Sequence, residues 1–178
     1  MEPLIQPILQ TDAVRLRPFA AKDAALIRDA SVDALIPSIT SVPSHGTEDE
    51  ILAFIRRQHD RLRLRTGYSF AIADAHSDVA MGQIGLWLRD ADRGRVSIGY
   101  WVGSRHRRHG IASAALAAIS DWGLTLPGVH RVELYVEPAN EGSWRVAERC
   151  GFLREGLLRG WQEIGSRRRD MYMYSRLE

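Results

Sequence analysis

Residues 105–116 read RHRRHGIASAAL, in which five cationic or potentially cationic side chains precede a glycine and an alanine-rich apolar run. Like charges repel one another, so this cluster costs stability unless an anion lies beside it. The apolar run predicts a helix that begins near Gly110, and the first turn of a helix carries unpaired backbone N–H groups and a partial positive charge. The stretch therefore indicates an anion-binding loop at the start of a helix.

The chemistry of this loop suits a diphosphate. It follows directly after the predicted strand 95–102, and Gly110 lacks the Cβ that would keep a phosphate away from the backbone. Ala112 and Ser113 keep the first helical turn small, and Arg107 and Arg108 can add charge-assisted hydrogen bonds. No Gly-Lys-Ser/Thr follows and the three-glycine dinucleotide spacing is missing, so neither a nucleotide P-loop nor a dinucleotide fingerprint is predicted.

A second interpretation treats the same arginines as solvated surface or as part of a nucleic-acid patch. Basic residues also cluster at 56–65 and 167–169, which would extend such a patch. The formal net charge is only +2, however, and this value is too small to require a nucleic-acid partner. Binding to nucleic acid is therefore the less favoured alternative.

Length and composition fit a single domain over residues 1–178. Cys150 is the only cysteine, so an intramolecular disulfide is impossible and a reducing cytoplasm is expected. The first ten residues, MEPLIQPILQ, make a poor signal peptide. No apolar run approaches the roughly 20 residues of a membrane span, and no metal site is indicated.

Hydrophobic periodicity and turn signals divide the chain into strands and helices. Strands are predicted at 13–19, 68–74, 79–90, 95–102, 130–138, 152–164 and 169–177, and helices at 22–31, 47–67, 110–122 and 140–151. Thr47 and Glu50 form a capping box for the second helix, and Gly67 is expected to end it. The order predicts an α/β (α+β) fold with a mixed, twisted, mostly antiparallel sheet of about seven strands and helices on both faces.

Three motifs in order resemble the GCN5-related N-acetyltransferase (GNAT) superfamily. Residues 107–112, RRHGIA, match its Arg/Gln-x-x-Gly-x-Gly/Ala signature for the diphosphate of acetyl-CoA. Residues 136–152, VEPANEGSWRVAERCGF, resemble its second element, and residues 167–177 resemble the last strand of its ribosomal-protein (Rim-type) branch. The resemblance covers essentially the whole chain and implies acetyl-CoA as cosubstrate, bound by Arg107, Arg108, His109, Gly110, Ile111, Ala112 and Ser113.

The resemblance also implies where the pantetheine arm and thioester lie. The strand before the loop should splay from the strand after the helix, which is the fourth predicted strand from the fifth. Tyr100, Trp101 and Val102 would line this opening, and a backbone N–H near Val102 would face the thioester oxygen. Tyr100 and Trp101 could equally be core aromatics.

Two residues of the second element receive roles in the same way. Asn140 precedes a helix as an N-cap, and the resemblance adds a contact with the coenzyme arm. Many superfamily members use a tyrosine as the general acid at the position where this chain has Ala147. In the Rim-type branch, a serine that matches Ser143 is thought to take that role. Ser143 could instead be a simple helix-start residue.

The general base is less clear. The Rim-type branch is thought to use a glutamate where this chain has Gln162, and an amide cannot accept the amine proton at neutral pH. Glu163 is adjacent, and a bulge could re-aim its side chain toward the site. Glu133 near the splay and His45 before the second long helix are the other candidates, and each carboxylate could be plain surface charge.

These features predict an acetyl-CoA-dependent N-acetyltransferase that acts on a primary amine, either a protein N-terminus or a small molecule. The glutamine at position 162 leaves open a catalytically silent acyl-CoA-binding sensor, and the basic clusters leave open the nucleic-acid-binding module. A homodimer is expected if the last strand forms an exposed edge of the sheet.

Overall fold

Strands and helices follow the order that the sequence predicts, with two short additions. The computed structural model describes residues 4–178. The strands are β1 (Leu9–Gln10), β2 (Val14–Arg17), β3 (Gly67–Asp74), β4 (Ala80–Trp87), β5 (Arg95–Val102), β6 (Arg131–Val136), β7 (Leu153–Ile164) and β8 (Arg167–Leu177). The helices are α1 (Ala24–Ser31), α2 (Ile36–Ile39), α3 (Glu48–Arg63), α4 (Ile111–Leu124) and α5 (Glu141–Arg149). The additions are β1 and α2, which are too short to produce a periodic pattern.

The strands form one twisted, mostly antiparallel sheet in the order β1-β2-β3-β4-β5-β6-β8-β7. β5 and β6 are the only parallel neighbours in the described sheet, and α4 connects them. A crossover helix of this kind is what a parallel pair requires. The predicted mixed sheet is therefore confirmed, with β1 as an eighth strand.

Helices cover both faces of the sheet. On one face, Leu116 and Ile119 of α4 share a core cluster with Phe70 and Ile72 of β3. On the other face, Phe54 of α3 shares a cluster with Ala71 of β3. Adjacent residues of a strand point to opposite faces, so β3 is covered on both sides as predicted.

The end of α3 differs from the prediction. The helix stops at Arg63, and Gly67 is already the first residue of β3. Arg65 takes the left-handed conformation with φ 58°, and Thr66 N donates to Arg61 O over 2.9 Å. This is a Schellman ending in which arginine occupies the position that usually favours glycine, so the glycine signal was misleading.

The splay between the parallel strands lies where it was expected. β5 pairs with β6 only from Arg95↔Arg131 to Ile98↔Leu134. Beyond that point the last four residues of β5 pair with β4 alone, and the end of β6 pairs with β8. A wedge therefore opens between the carboxyl ends of β5 and β6.

The predicted position of the last strand is wrong. β8 lies inside the sheet between β6 and β7, and β7 forms the edge. β7 and β8 form a long hairpin. β8 returns to the sheet beside β6, because the other side of β6 is already paired with β5. Because β8 is not an exposed edge strand, its position gives no reason to expect a dimer. Within residues 4–178, no helix has the length and apolar character that a membrane crossing requires.

Candidate active site

The loop between β5 and α4 presents the start of α4 to an open space. Gly110 is the N-cap with φ 75°, and no side chain caps the first turn. A Cβ built on Gly110 would meet nothing within 4 Å. The first backbone N–H groups of α4 are therefore available to an anion.

A cavity of about 640 Å³ extends from this helix start along the open end of β5 to α5. Its walls come from the α1–α2 region, the end of β5, the basic loop with the first turn of α4, and α5. The lining residues are Leu35, Ile36, Ile39, Tyr100, Trp101, Val102, His106, Arg107, Arg108, Gly110, Ile111, Ala112, Ser113, Asn140, Gly142, Ser143, Arg145, Val146 and Arg149. The structure thus brings together all of the predicted cofactor-binding residues except His109, which is exposed outside this lining.

Arg107 and Arg108 differ in their surroundings. The Arg107 guanidinium donates from Nε to Val102 O over 3.0 Å and from Nη2 to Asp33 Oδ2 over 2.8 Å. Burial acts to raise the pKa of Asp33, but hydrogen bonds from the backbone of Leu35 and Ile36 and the Arg107 charge outweigh it, so the pKa is lowered. Arg107 therefore connects the loop to the end of β5 and to the segment after α1. Arg108 is exposed and has a φ of 66°.

The open edge of β5 carries unpaired backbone groups. Gly103 N donates to Met81 O of β4 over 2.9 Å, so the odd-numbered residues at this end direct their N–H groups toward β4. Tyr100 and Val102 consequently direct theirs toward the wedge. Val102 N–H therefore faces the side on which the family resemblance places the thioester.

Two hydroxyl groups meet across the wedge. The Tyr100 hydroxyl lies 2.9 Å from Ser143 Oγ and 3.1 Å from Ser143 O, and either oxygen can accept its single proton. Asn140 Oδ1 accepts from Ser143 N over 3.2 Å, so Asn140 caps α5. Burial raises the pKa of Tyr100 to about 12, against the opposing effect of the hydrogen bond with Ser143.

Trp101 is held by a buried polar network that sequence reasoning missed. Its Nε1 donates to Gln83 Oε1 over 2.7 Å, and Gln83 Nε2 donates to Gln58 Oε1 and to Ser69 Oγ, each over 2.9 Å. Gln58 also accepts from Ser69 Oγ over 3.0 Å. The network joins α3, β3, β4 and β5, and its members are too far apart in the sequence to form a motif.

None of the three candidate bases is among the described residues that line the cavity. Glu133 is 3% exposed and lies opposite Ser97, where β5 and β6 are still paired. Its carboxylate accepts from Arg131 Nε and from the Tyr135 hydroxyl, each over 2.7 Å. Glu163 is exposed and opposite Arg168 near the hairpin turn, beyond a register irregularity between Leu158 and Gln162.

His45, the third candidate, is exposed in the segment before α3 with a φ of 48°. Its backbone N–H donates to Ser31 O over 2.9 Å, which ties this segment to the end of α1. The contact involves the main chain and indicates a structural role for the segment.

Comparison with known proteins identifies the family. A model of the acetyltransferase (GNAT) domain matches residues 13–153, which include the basic loop, the wedge and α5. The chain belongs to the GNAT acetyltransferase family. The predictions of a GNAT fold and of an N-acetyltransferase are therefore confirmed.

Several GNAT proteins resemble the chain over nearly its full length. An uncharacterized N-acetyltransferase, p20 of Bacillus licheniformis, is 28% identical over 170 residues, which are 96% of each chain. RimJ of Mycobacterium smegmatis, solved in complex with CoA-disulfide, has a TM-score of 0.82 at 28% identity and covers 96% of this chain and 86% of its own. RimL, a ribosomal L7/L12 alpha-N-protein acetyltransferase solved with coenzyme A, has a TM-score of 0.82 at 18% identity and covers 96% and 98%, a likeness that shows the fold.

Proposed function

We propose that this chain is an acetyl-CoA-dependent N-acetyltransferase that moves the acetyl group to a primary amine by direct attack on the thioester. The observation that carries the proposal is the continuous cavity from the uncapped start of α4 to the open edge of β5. One end offers backbone donors to a diphosphate, and the other offers Val102 N–H to a thioester oxygen.

The coenzyme is bound through two of its segments, the diphosphate and the pantetheine arm, in this proposal. The diphosphate accepts hydrogen bonds from the first N–H groups of α4, and Arg108 contributes a charge beside them. The pantetheine arm, which contains two amide groups, lies along the open edge of β5 as an added strand. Because β5 leaves β6 after Ile98, the N–H and C=O of Tyr100 and the N–H of Val102 are available for this pairing, while Val102 O accepts from Arg107.

The chemistry then needs few side chains. The amine nitrogen attacks the carbonyl carbon, and Val102 N–H stabilises the tetrahedral oxyanion. When the C–S bond breaks, its electron pair moves to sulfur, and Ser143 Oγ–H donates a hydrogen bond to the departing thiolate. The described lining of the cavity contains no carboxylate, and in this proposal the amine proton leaves through water.

The acceptor is a primary amine, either a protein N-terminus, as the name of RimL suggests, or a small molecule. The wall from the α1–α2 region is apolar, with Leu35, Ile36 and Ile39. An acceptor with an apolar group beside its amine fits this wall better than a polycation does.

The test is a thiol-release assay with acetyl-CoA against N-terminal peptides, monoamines and polyamines. We expect turnover with a peptide or monoamine, and much slower turnover with polyamines. Coenzyme binding without turnover on any acceptor would indicate that the protein is an acyl-CoA sensor and not an enzyme. No coenzyme binding, together with salt-sensitive binding to nucleic acid, would support the nucleic-acid-binding module instead.

A further inference from the structure

Tyr100 and Ser143 approach each other from opposite walls of the cavity. Tyr100 lies on the part of β5 that has left β6, and Ser143 lies in the first turn of α5. Their side chains meet at 2.9 Å, and both residues line the cavity. This hydrogen bond joins the open segment of β5 to α5.

The pairing leaves a defined role for each hydroxyl. The Tyr100 hydroxyl has two acceptors within reach, the Oγ and the main-chain O of the same serine. A phenol that donates to Ser143 Oγ fixes the rotamer of the serine and leaves the serine proton to point into the cavity. Hydrogen bonds in such a chain polarise one another, so the serine becomes a stronger donor.

We infer that Tyr100 is a positioning residue that acts through Ser143 and directs its hydroxyl at the coenzyme sulfur. The inference rests on the proposed function, because it requires the thioester to occupy the wedge. As the C–S bond breaks and its electron pair moves to sulfur, the sulfur accepts a hydrogen bond from Ser143 Oγ–H. Ser143 Oγ in turn accepts one from Tyr100.

The properties of Tyr100 favour donation of a hydrogen bond over transfer of a proton. Burial raises its pKa to about 12, well above the value of about 8.5 for an ordinary thiol. Transfer of the phenol proton to a thiolate would therefore be unfavourable. The phenol stays protonated throughout, and the thiol receives its proton from solvent.

The experiment measures the thiolate fraction of bound CoA at neutral pH by ultraviolet difference spectroscopy. The complex with S-methyl-CoA serves as the blank, so that tyrosinate absorbance of the protein cancels. A hydrogen bond to the charged form favours it, so wild-type protein should hold a larger thiolate fraction than free CoA has. Tyr100→Phe and Ser143→Ala should each lower this fraction about threefold to tenfold.

The double variant and a matched control complete the design. Because Tyr100 acts through Ser143, Tyr100→Phe in the Ser143→Ala background should cause no further loss. Tyr68→Phe removes the same hydroxyl from another tyrosine of this core, 4% exposed, and should change nothing. Thermal unfolding of each variant shows whether a lower thiolate fraction results from loss of the fold.

A normal thiolate fraction in Tyr100→Phe, with CoA binding intact, would overturn the inference and leave the proposed function standing. Independent losses in the two single variants that add in the double variant would also overturn it. Failure of the wild-type protein to bind CoA in calorimetry would refute the proposed function, and this inference with it. In turnover, the expected result is a kcat about fivefold to tenfold lower in Tyr100→Phe with an unchanged KM for acetyl-CoA.

Discussion

The indole Nε1 of Trp101 donates to Gln83 Oε1 over 2.7 Å, and the two residues are 5% and 7% exposed. The side-chain amide of Gln83 also donates hydrogen bonds to Gln58 and Ser69, so it connects the wall of the cavity to α3. This contact ties the position of a cavity-lining ring to α3. The described part of the chain contains no buried side-chain polar atom without a partner, so the network is complete.

Replacement of Gln83 by leucine should therefore destabilise the protein. The change leaves Trp101 Nε1, Gln58 Oε1 and Ser69 Oγ each without one partner, and a buried unpaired polar group costs about 1–3 kcal/mol. We expect a loss of this size in the free energy of unfolding, measured by urea denaturation. Gln162→Leu, at an exposed position, is the control, and equal stability of both variants would contradict the role of the network.

The ion pair between Arg107 and Asp33 should support coenzyme binding indirectly, through the shape of the loop. Asp33→Asn removes the charge but keeps an oxygen for the N–H groups of Leu35 and Ile36. Because the Arg107 side chain is 41% exposed, the pair is worth at most about 1 kcal/mol, and we expect CoA affinity to fall about twofold to fivefold.

Asp29→Asn is the matched control for this prediction, because Asp29 pairs with Arg105 of the same loop at 3.6 Å while both side chains are largely exposed. Its CoA affinity should equal that of the wild type in calorimetry. If Arg107→Ala lost far more CoA affinity than Asp33→Asn, direct contact of Arg107 with phosphate would explain the difference better than indirect support through the shape of the loop.

Arg131 should be essential to stability because it lies between two carboxylates. It donates from Nε to Glu133 over 2.7 Å and binds Glu155 through Nη1 over 2.9 Å. Arg131→Met leaves the buried Glu133 carboxylate with only the longer ion pair to Arg95 Nη1 at 3.9 Å, and loss of one partner of a buried pair costs at most about 3–5 kcal/mol. Urea denaturation at pH 7 measures this loss, and Arg159→Met on an exposed part of β7 is the control.

The same cluster makes stability depend on pH in the acid range. The hydrogen bond from Arg131, followed by that from Ser175, lowers the pKa of Glu155 from 4.5 to about 2. The folded state therefore binds fewer protons than the unfolded state between these values, and the contribution of Glu155 is complete above 4.5 and disappears as the pH falls toward 2. The stability difference between wild type and Glu155→Gln should shrink over this range, and a constant difference would refute the prediction.

Glu163→Gln should leave catalysis nearly unchanged. The carboxylate is exposed, opposite Arg168, and outside the described lining of the cavity. We expect kcat within about twofold of the wild type and the same acid limb in the pH profile of kcat/KM. A loss of about a hundredfold or more, which is typical when a general base is removed, would show that the hairpin delivers Glu163 to the acceptor.

The sequence was most informative where local chemistry decides the structure. The capping box of Thr47 and Glu50, the strand before the basic loop and the cap at Asn140 each depend on residues a few positions apart, so spacing alone predicted them. The positions of strands that depend on long-range pairing were harder to predict from the sequence. Nothing near β8 indicates that it returns to the inside of the sheet beside β6.

The same distinction holds within the candidate site. The signature residues line the cavity as expected, but the partner of Arg107 lies 74 positions away at Asp33. Gln83 is a polar residue in an apolar strand and Gln58 lies among charged residues of α3, and the role of both depends on the contact with Trp101. Contacts of this kind are set by the three-dimensional arrangement and leave no local pattern to recognise.

The central claim is that the backbone at the start of α4 binds the diphosphate of the coenzyme, and calorimetry of CoA binding to Gly110→Glu tests it most directly. Gly128→Glu is the matched control, since both glycines have positive φ, 75° and 77°, and in both cases a Cβ would meet nothing within 4 Å. Both variants therefore carry the same backbone strain, but only Gly110→Glu puts a carboxylate beside the proposed diphosphate. We predict at least a hundredfold loss of CoA affinity in Gly110→Glu and wild-type affinity in Gly128→Glu, roughly the 3 kcal/mol or more that a like charge and lost donors cost. Wild-type affinity in Gly110→Glu would contradict the account.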